Sequence, residues 1–580
     1  VATNRLPSRS SIALFRTKAI ALRTRRATRD WCERLPRHDK GTIEEFPVVF
    51  GESRSLLWDD NNPAERDLQQ GKVQNLRCAA RRLHEVYVPA NMPFSFWKQV
   101  GRATRRRGFG HGRLLREGCL MPAVGGGLCQ LSNALYDVAL QAGLKILERH
   151  AHSQIIPGSA TALGRDATVA WNYIDLRFRS AFDYLWEVRL SSEELIVRLR
   201  VRSLSPEPKP LIPIQQLLDT RIVLDESNHH CATCNQKRCV HHAVATARLR
   251  TRTLGGQAFI VDESWPEFVS YIESTFCGGD KFATTVVGRN GPWKLANSNG
   301  VVTARVLALQ RSIASRRLRH HGSQRLEQQF CFALRLANCL CKALTYEVEH
   351  VVVAQSLLPF LWMNGHLGGR TFSVLMTHLP LELLHRRLDE AWQITPERAS
   401  LKEFRAPELL VRAETQALDA ALEILTPHTL IAQQFGSRAR LLPWHQPTTA
   451  SRSHLPSRAV AFSAPTVARH GAWEVREAAR RLDLEVVLPC RILEKANFWQ
   501  GVRTKVPAEE WLQDVCCVVQ PSLVEHQPRR LLQALTAGIP VITTGATGLG
   551  PQESVTVIPF GDVDALCEAI SHHLPQEKGS

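Results

Sequence analysis

The segment DVCCVVQPSLVEHQPRRLLQALTAGIPVITTG, residues 514–545, decides how the C-terminal part of the chain is read. Two short apolar runs, DVCCVVQPS (514–522) and PVITTG (540–545), flank a stretch of helical length, so the order is strand, helix, strand. Runs that are apolar on both faces suit buried parallel strands. The same alternation extends outward: VVVAQSLLPFL (351–361), ALEILTP (421–427), RAVAFSAP (458–465), LEVVLP (484–489) and VTVIPFG (555–561) are further candidate strands between amphipathic runs. The pattern predicts doubly wound α/β lobes of Rossmann type, a short one over 348–445 and a second over 457–575.

Upstream the composition changes. The 580 residues are 44% hydrophobic and 22% charged, which is enough for several globular domains and excludes a disordered chain. In YLWEVRL (184–190) and LIVRLRV (195–201), Leu195, Val197, Leu199 and Val201 share one face and Arg198 and Arg200 the other, so a half-buried hairpin closes a mixed α+β domain over 41–205. The proline-rich PEPKPLIPI (206–214) opens a linker over 206–280, and a basic helical connector follows over 281–347. The basic segment 1–40 contains LFRTKAIALRTRRATRDW, which reads as a solvated tail, with peripheral contact to an anionic membrane as the other reading.

Lysine and arginine number 73 against 55 acidic residues, a net charge of +18 that suits anionic partners. The arginine-rich runs lack interleaved aromatics and any recognition motif, which argues against nucleic acid. No 18-residue apolar stretch or signal-peptide pattern is present, so a cytoplasmic chain is expected, with membrane association left open.

Two clusters carry chemistry. In VGGGLCQLSNALY (124–136) and the residues beyond it, Leu128, Leu131, Leu135, Val138 and Ala142 recur at helical spacing, which predicts a helix from near Leu128 to Gly143. Cys129 then lies in the first turn, where the helix dipole and unpaired N–H groups favour a thiolate and would hold an oxyanion. His150 or His152 would supply the base and Asp166 the carboxylate, an order that suits acyl transfer or amide hydrolysis. The plain alternative is a tight glycine turn with Cys129 as a small buried residue. The second cluster, HHCATCNQKRCVHH (229–242), places Cys231, Cys234 and Cys239 as C-x2-C-x4-C with His242 beyond. Its expected ligand is a structural zinc, with an iron–sulfur cluster or plain reduced thiols as alternatives.

Two resemblances follow from these residues. GKVQNLRCAARRL (71–83), FSFWKQVG (94–101), GGGLCQLSNALYDVALQAGL (125–144), ERHAHS (148–153) and GRDATVAWNYIDLRF (164–178) resemble the VanW family. That implies a bacterial protein connected with the cell envelope or the glycopeptide response, and it supplies no mechanism. QPSLVEHQPRRLLQALTAGIPVITTGATGLG (520–550) resembles the donor-binding segment of retaining GT-B glycosyltransferases. Glu525 matches the first position of that family's E-x7-E pattern, while Gln533 stands at the second. Arg469 stands near the family's lysine, and Gly368, Gly369 and Arg370 read as a phosphate-approaching loop after a strand and before a helix.

The GT-B resemblance implies a nucleotide-diphosphate sugar as donor and an envelope or cell-wall precursor as acceptor. The reading chosen for the chain is therefore sugar transfer by the C-terminal half, with Glu525 on the donor. Thiol-dependent acyl transfer or amide hydrolysis on a cell-wall peptide by Cys129 is the second reading. A non-catalytic glycan or precursor scaffold is the third.

Overall fold

The computed structural model describes residues 9–58, 66–116, 119–152, 154–155, 164–203, 222–223, 256–286, 293, 301–317, 322–403, 405–448, 457–495, 497–507, 511–550 and 552–575. They form two compact units, one of residues 1–257 with 344–350 and 364–371, the other of 258–343, 351–363 and 372–580.

The first unit is built on a four-stranded antiparallel sheet in the order Val48–Leu56, Glu194–Val201, Tyr184–Leu190, Val86–Val88. The expected hairpin forms with Leu195 opposite Leu190, and Leu195, Val197, Leu199 and Val201 are buried. Against them lie Leu131, Leu135 and Val138 of the helix Cys129–Gln141, in one core with Trp186. Alternation of period two on the strand and of period 3.6 on the helix lets the two apolar faces meet.

The N-terminal segment departs from the tail expected of it. Arg9–Cys32 is a helix that docks by charge: Arg26 binds the Glu148 carboxylate through both terminal nitrogens, and the buried Arg177 reaches Asp30 at 2.6 Å and Glu33 at 3.1 Å. Such pairing across more than a hundred residues leaves no periodic mark in a basic run. No described helix is long and apolar enough to cross a membrane.

The second unit holds two parallel sheets. The first has seven strands, in chain order Gly256–Ile260, Lys281–Thr284, Val302–Thr303, Val348–Ala354, Thr371–Leu375, Glu423–Thr426 and Ala439–Leu441, arranged in space as 3-2-1-4-5-6-7. The second has six, Ala459–Phe462, Glu485–Val487, Arg503–Lys505, Cys517–Gln520, Val541–Thr543 and Val555–Val557, arranged as 3-2-1-4-5-6. Both orders are those of a doubly wound sheet, whose ligands bind where the order reverses.

The first lobe is therefore not the short one expected over 348–445. Its sheet begins at Gly256, so the expected linker and basic connector contribute three strands and the helices Pro266–Thr275, Arg305–Arg317 and Gly322–Leu340. Those strands are two to five residues long, too short for a periodic signal. Between the lobes, the buried Glu267 carboxylate receives both terminal nitrogens of Arg529 at 2.6 and 2.7 Å and the backbone N–H of His445 at 2.8 Å. The Arg529 guanidinium also lies over the rings of Trp265 and Trp444, at 5.4 and 5.7 Å.

Candidate functional site

In the first unit the glycines of VGGGLC make a turn that other residues would not allow. Gly125 and Gly127 have φ of 81° and 89°, and a Cβ on Gly126 would lie 2.4 Å from the Gly112 carbonyl oxygen. The helix then starts at Cys129 itself. Gly126→Ala is expected to push the hairpin 111–124 off this turn and cost about 2–4 kcal/mol, by the strain mechanisms that give large single-site effects. Chemical denaturation of the variant checks it, and an unchanged midpoint would refute the close approach.

The Cys129 thiol interacts electrostatically with His152, and the Val169 backbone and the Thr168 hydroxyl add smaller contributions that favour the thiolate. Nδ1 of His152 lies 2.8 Å from Oδ2 of Asp166, which leaves Nε2 as the ring atom for the thiol, and the His152 backbone N–H binds the same carboxylate oxygen at 2.6 Å. Asp166 is fully buried and takes Arg149 Nη2 on its other oxygen at 2.9 Å. Burial alone would raise the thiol pKa, but the interaction with His152 outweighs it and holds Cys129 below the usual thiol value. Burial would lower the imidazole, yet Asp166 and the thiolate push His152 up to about 9. Both shifts act in the direction of a thiolate and an imidazolium.

His150, the other candidate base, turns away: it is half exposed, with Nε2 3.3 Å from Oε1 of Glu148. Of the residues expected in this cluster, Cys129, His152 and Asp166 meet and His150 does not. Arg149 and Thr168, which the sequence reading passed over, flank two of the named residues.

In the second unit the order of the six-stranded sheet reverses between Ala459–Phe462 and Cys517–Gln520, and the segments after these strands touch through the Leu523 N–H on the Arg469 carbonyl at 2.8 Å. Gly471, at φ 83°, approaches so closely that a Cβ would lie 2.3 Å from the Pro521 carbonyl oxygen. Glu525 lies in this crevice, its Oε1 accepting the backbone N–H groups of His526 and Gln527 at 2.9 and 2.8 Å and its Oε2 accepting from the Gln520 amide. Burial raises the Glu525 carboxyl pKa despite these bonds and the charge of Arg469. Burial likewise lowers Arg469 to about 10, against the pull of Glu525, so it stays cationic at neutral pH. Gln533 is half-buried on the following helix, Arg529–Thr536.

Four histidines that the sequence reading left unassigned gather here. His470 Nδ1 is 3.5 Å from Oε2 of Glu525, and the first lobe's His428 reaches the carbonyls of Glu525 and Ala546 through Nε2, each at 3.1 Å. The His378 ring lies 5.4 Å from that of His526. Burial, and cationic or histidine neighbours, hold His470 and His526 far below the usual imidazole range. His428, His470 and His526, all lowered by burial, are neutral, polar contacts. Their signal in the sequence is only a histidine soon after an apolar strand.

Gly368, Gly369 and Arg370 are not a phosphate loop. They belong to the first unit and precede the strand Thr371–Leu375, with the Gly369 N–H on the Ser191 carbonyl at 2.7 Å and Arg77 Nε on the Gly368 carbonyl at 2.6 Å. The buried Arg370 guanidinium is taken up by the carbonyls of Leu344, Thr345, Val348 and His366. Four backbone acceptors leave it no free edge for a phosphate. Cys231, Cys234, Cys239 and His242 lie outside the described residues. Among the described residues no group of three or more His, Cys, Asp or Glu could hold a metal ion.

Residues 71–201 match the family described as VanW like protein, and residues 474–576 match Glycosyl transferases group 1. The chain is 32% identical over 158 residues to the vancomycin B-type resistance protein VanW of Enterococcus faecalis, covering 26% of this chain and 57% of that protein. It is 34% identical over 114 residues to the uncharacterized protein YoaR of Bacillus subtilis, covering 20% of this chain and 37% of that protein. The chain thus spans little more than half of one relative and about a third of the other.

Among solved structures, a sucrose-phosphate synthase from Thermosynechococcus elongatus is 15% identical with a TM-score of 0.37, covering 55% of this chain and 89% of that one. HepE of Anabaena, solved in complex with UDP and glucose, is 10% identical with a TM-score of 0.34 over the same shares. The chain therefore carries a VanW-like domain at residues 71–201 and a glycosyltransferase-like domain of group 1 in its C-terminal half.

Proposed function

We propose that the VanW-like domain performs cysteine-dependent acyl chemistry, transfer or amide hydrolysis, on the peptide of a cell-wall precursor. The observation that carries this reading is the line Cys129–His152–Asp166, with the thiol at a helix start and the carboxylate buried behind the imidazole. The Cys129 thiolate attacks the amide carbonyl carbon, and the positive end of the helix stabilises the oxyanion. The His152 imidazolium gives its proton to the departing amine as the C–N bond breaks, which leaves a thioester on Sγ. Neutral His152 then takes a proton from water or an acceptor amine as that group attacks the thioester, and Cys129 leaves as thiolate. Asp166 holds the ring and its charge throughout. The name of the vancomycin-resistance relative supports a cell-wall peptide as substrate. Incubation with precursor stem peptides should give an acyl adduct on Cys129 by mass spectrometry. No adduct and no turnover with any such peptide would overturn the reading.

A second reading, sugar transfer from a nucleotide-diphosphate sugar to an envelope precursor, draws on the group 1 match and on Arg469 and Glu525 at the switch point. Arg469 would neutralise the diphosphate and Glu525 would bind sugar hydroxyls, while Gln533 weakens the contact that an acidic residue would make. Arg469→Ala is expected to weaken UDP binding at least ~10-fold in calorimetry, the value of one charge-assisted contact. Equal affinity in the variant, or no binding of any nucleoside diphosphate by the native chain, would remove this reading.

A further inference from the structure

A cavity of about 730 Å3 opens in the second unit beside Asp262 and Thr285, just past the carboxyl ends of the first two strands of the seven-stranded sheet. One wall is the helix Arg305–Arg317, which turns Ala308, Arg311, Ser312, Ser315 and Arg316 toward the space. Their spacing of three, one, three and one places them on a single face, the position where a helix on a sheet ordinarily carries apolar residues. Here that face is polar and cationic. Arg491, from the second lobe, also lines the cavity.

The charges are not all matched. Arg311 is engaged, with Nη1 3.2 Å from Oδ2 of Asp262 and Nη2 2.7 Å from Oε1 of Glu263, and Asp262 also accepts the Ser356 hydroxyl at 2.8 Å. Arg316 and Arg491 are exposed and have no ion-pair partner among the described residues. Two guanidinium groups at the opening of a hydroxyl-lined cavity suit a ligand that ends in a phosphate and carries hydroxyl groups. The volume fits one small ligand. The Arg491 carbonyl accepts the Thr466 N–H at 2.9 Å, which ties the segment of Arg491 to the loop that leads to Arg469.

We propose that this cavity binds the acceptor of the sugar-transfer reading, and that the acceptor is a phosphorylated carbohydrate. Arg316 and Arg491 hold the phosphate, and Asp262, Ser312 and Ser315 hold the hydroxyls. The acceptor role rests on the sugar-transfer reading; the phosphate site does not.

Calorimetry on the full chain separates the two. Glucose 1-phosphate, inorganic phosphate, glucose and UDP are titrated into the native protein, the Arg316→Ala/Arg491→Ala variant and Arg469→Ala. Both arginines of the double variant are exposed, and circular dichroism checks that the fold is kept. The double variant should lose at least ~10-fold in affinity for glucose 1-phosphate and bind UDP as before, with the reverse pattern in Arg469→Ala. Equal affinity for glucose 1-phosphate in the double variant, or no binding of it by the native chain, overturns the proposal. Loss of UDP affinity in the double variant also overturns it, because the cavity would then be part of the donor site. Inorganic phosphate binding as tightly as glucose 1-phosphate overturns the carbohydrate part. Arginine-dependent binding of glucose 1-phosphate without any UDP binding removes sugar transfer and the acceptor role, and leaves the phosphate site standing.

Discussion

Iodoacetamide should alkylate Cys129 faster at neutral pH than it does an ordinary thiol with a pKa of about 8.5. The charge of His152, itself raised to about 9, lowers the Cys129 value, so labelling should titrate below the ordinary thiol range. His152→Ala removes the cation and leaves burial to raise the thiol, which should slow labelling at neutral pH by ~10- to 100-fold. Cys129→Ala should abolish acyl transfer, a loss on the order of 10³-fold or more. Peptide mass spectrometry separates Cys129 from the other cysteines of the fifteen in the chain.

Stability carries the same signature. A folded His152 value near 9 lies above the unfolded value of about 6.5, so its contribution is complete below the unfolded value and is lost as pH rises through about 9. The lowered Cys129 value works in the opposite sense, contributing above the unfolded thiol value and losing that contribution as pH falls through its own. Denaturation midpoints of the native chain and His152→Ala should therefore converge on the alkaline side. Labelling that titrates near 8.5 and ignores the His152 substitution would remove the ion pair and with it the acyl-transfer reading.

Glu267→Ala should destabilise the second unit by about 2–4 kcal/mol. The substitution takes the carboxylate from a bidentate pair and from the His445 N–H, leaving Arg529 between two indoles without its counter-charge. Arg529 is about a quarter exposed, at 26%, so solvent offsets part of the loss, and the expected range lies below that of a fully buried pair. Glu267→Gln keeps a hydrogen-bond acceptor and should fall between the two. Urea denaturation followed by tryptophan fluorescence reads the change, because Trp265 and Trp444 flank the pair. An Ala variant as stable as the native chain would show that the lobes do not depend on this contact.

The sequence by itself determined the features that are local in the chain. The 184–201 hairpin, the helix that starts at the glycine turn before Cys129, and the apolar parallel strands of the C-terminal half all follow from periodicities of two and 3.6 and from glycine's access to positive φ. It also put Cys129, His152 and Asp166 among the candidates, because their types and order suit thiol chemistry. Only the tertiary structure chose between the two histidines, turning His152 to Asp166 and His150 to Glu148. It also moved the start of the first lobe to Gly256, committed Arg370 to four carbonyls and brought His428 of one lobe onto Glu525 of the other. Each of these depends on groups distant in the chain becoming neighbours through packing, and strands of two to five residues bury too few side chains to announce themselves in a sequence.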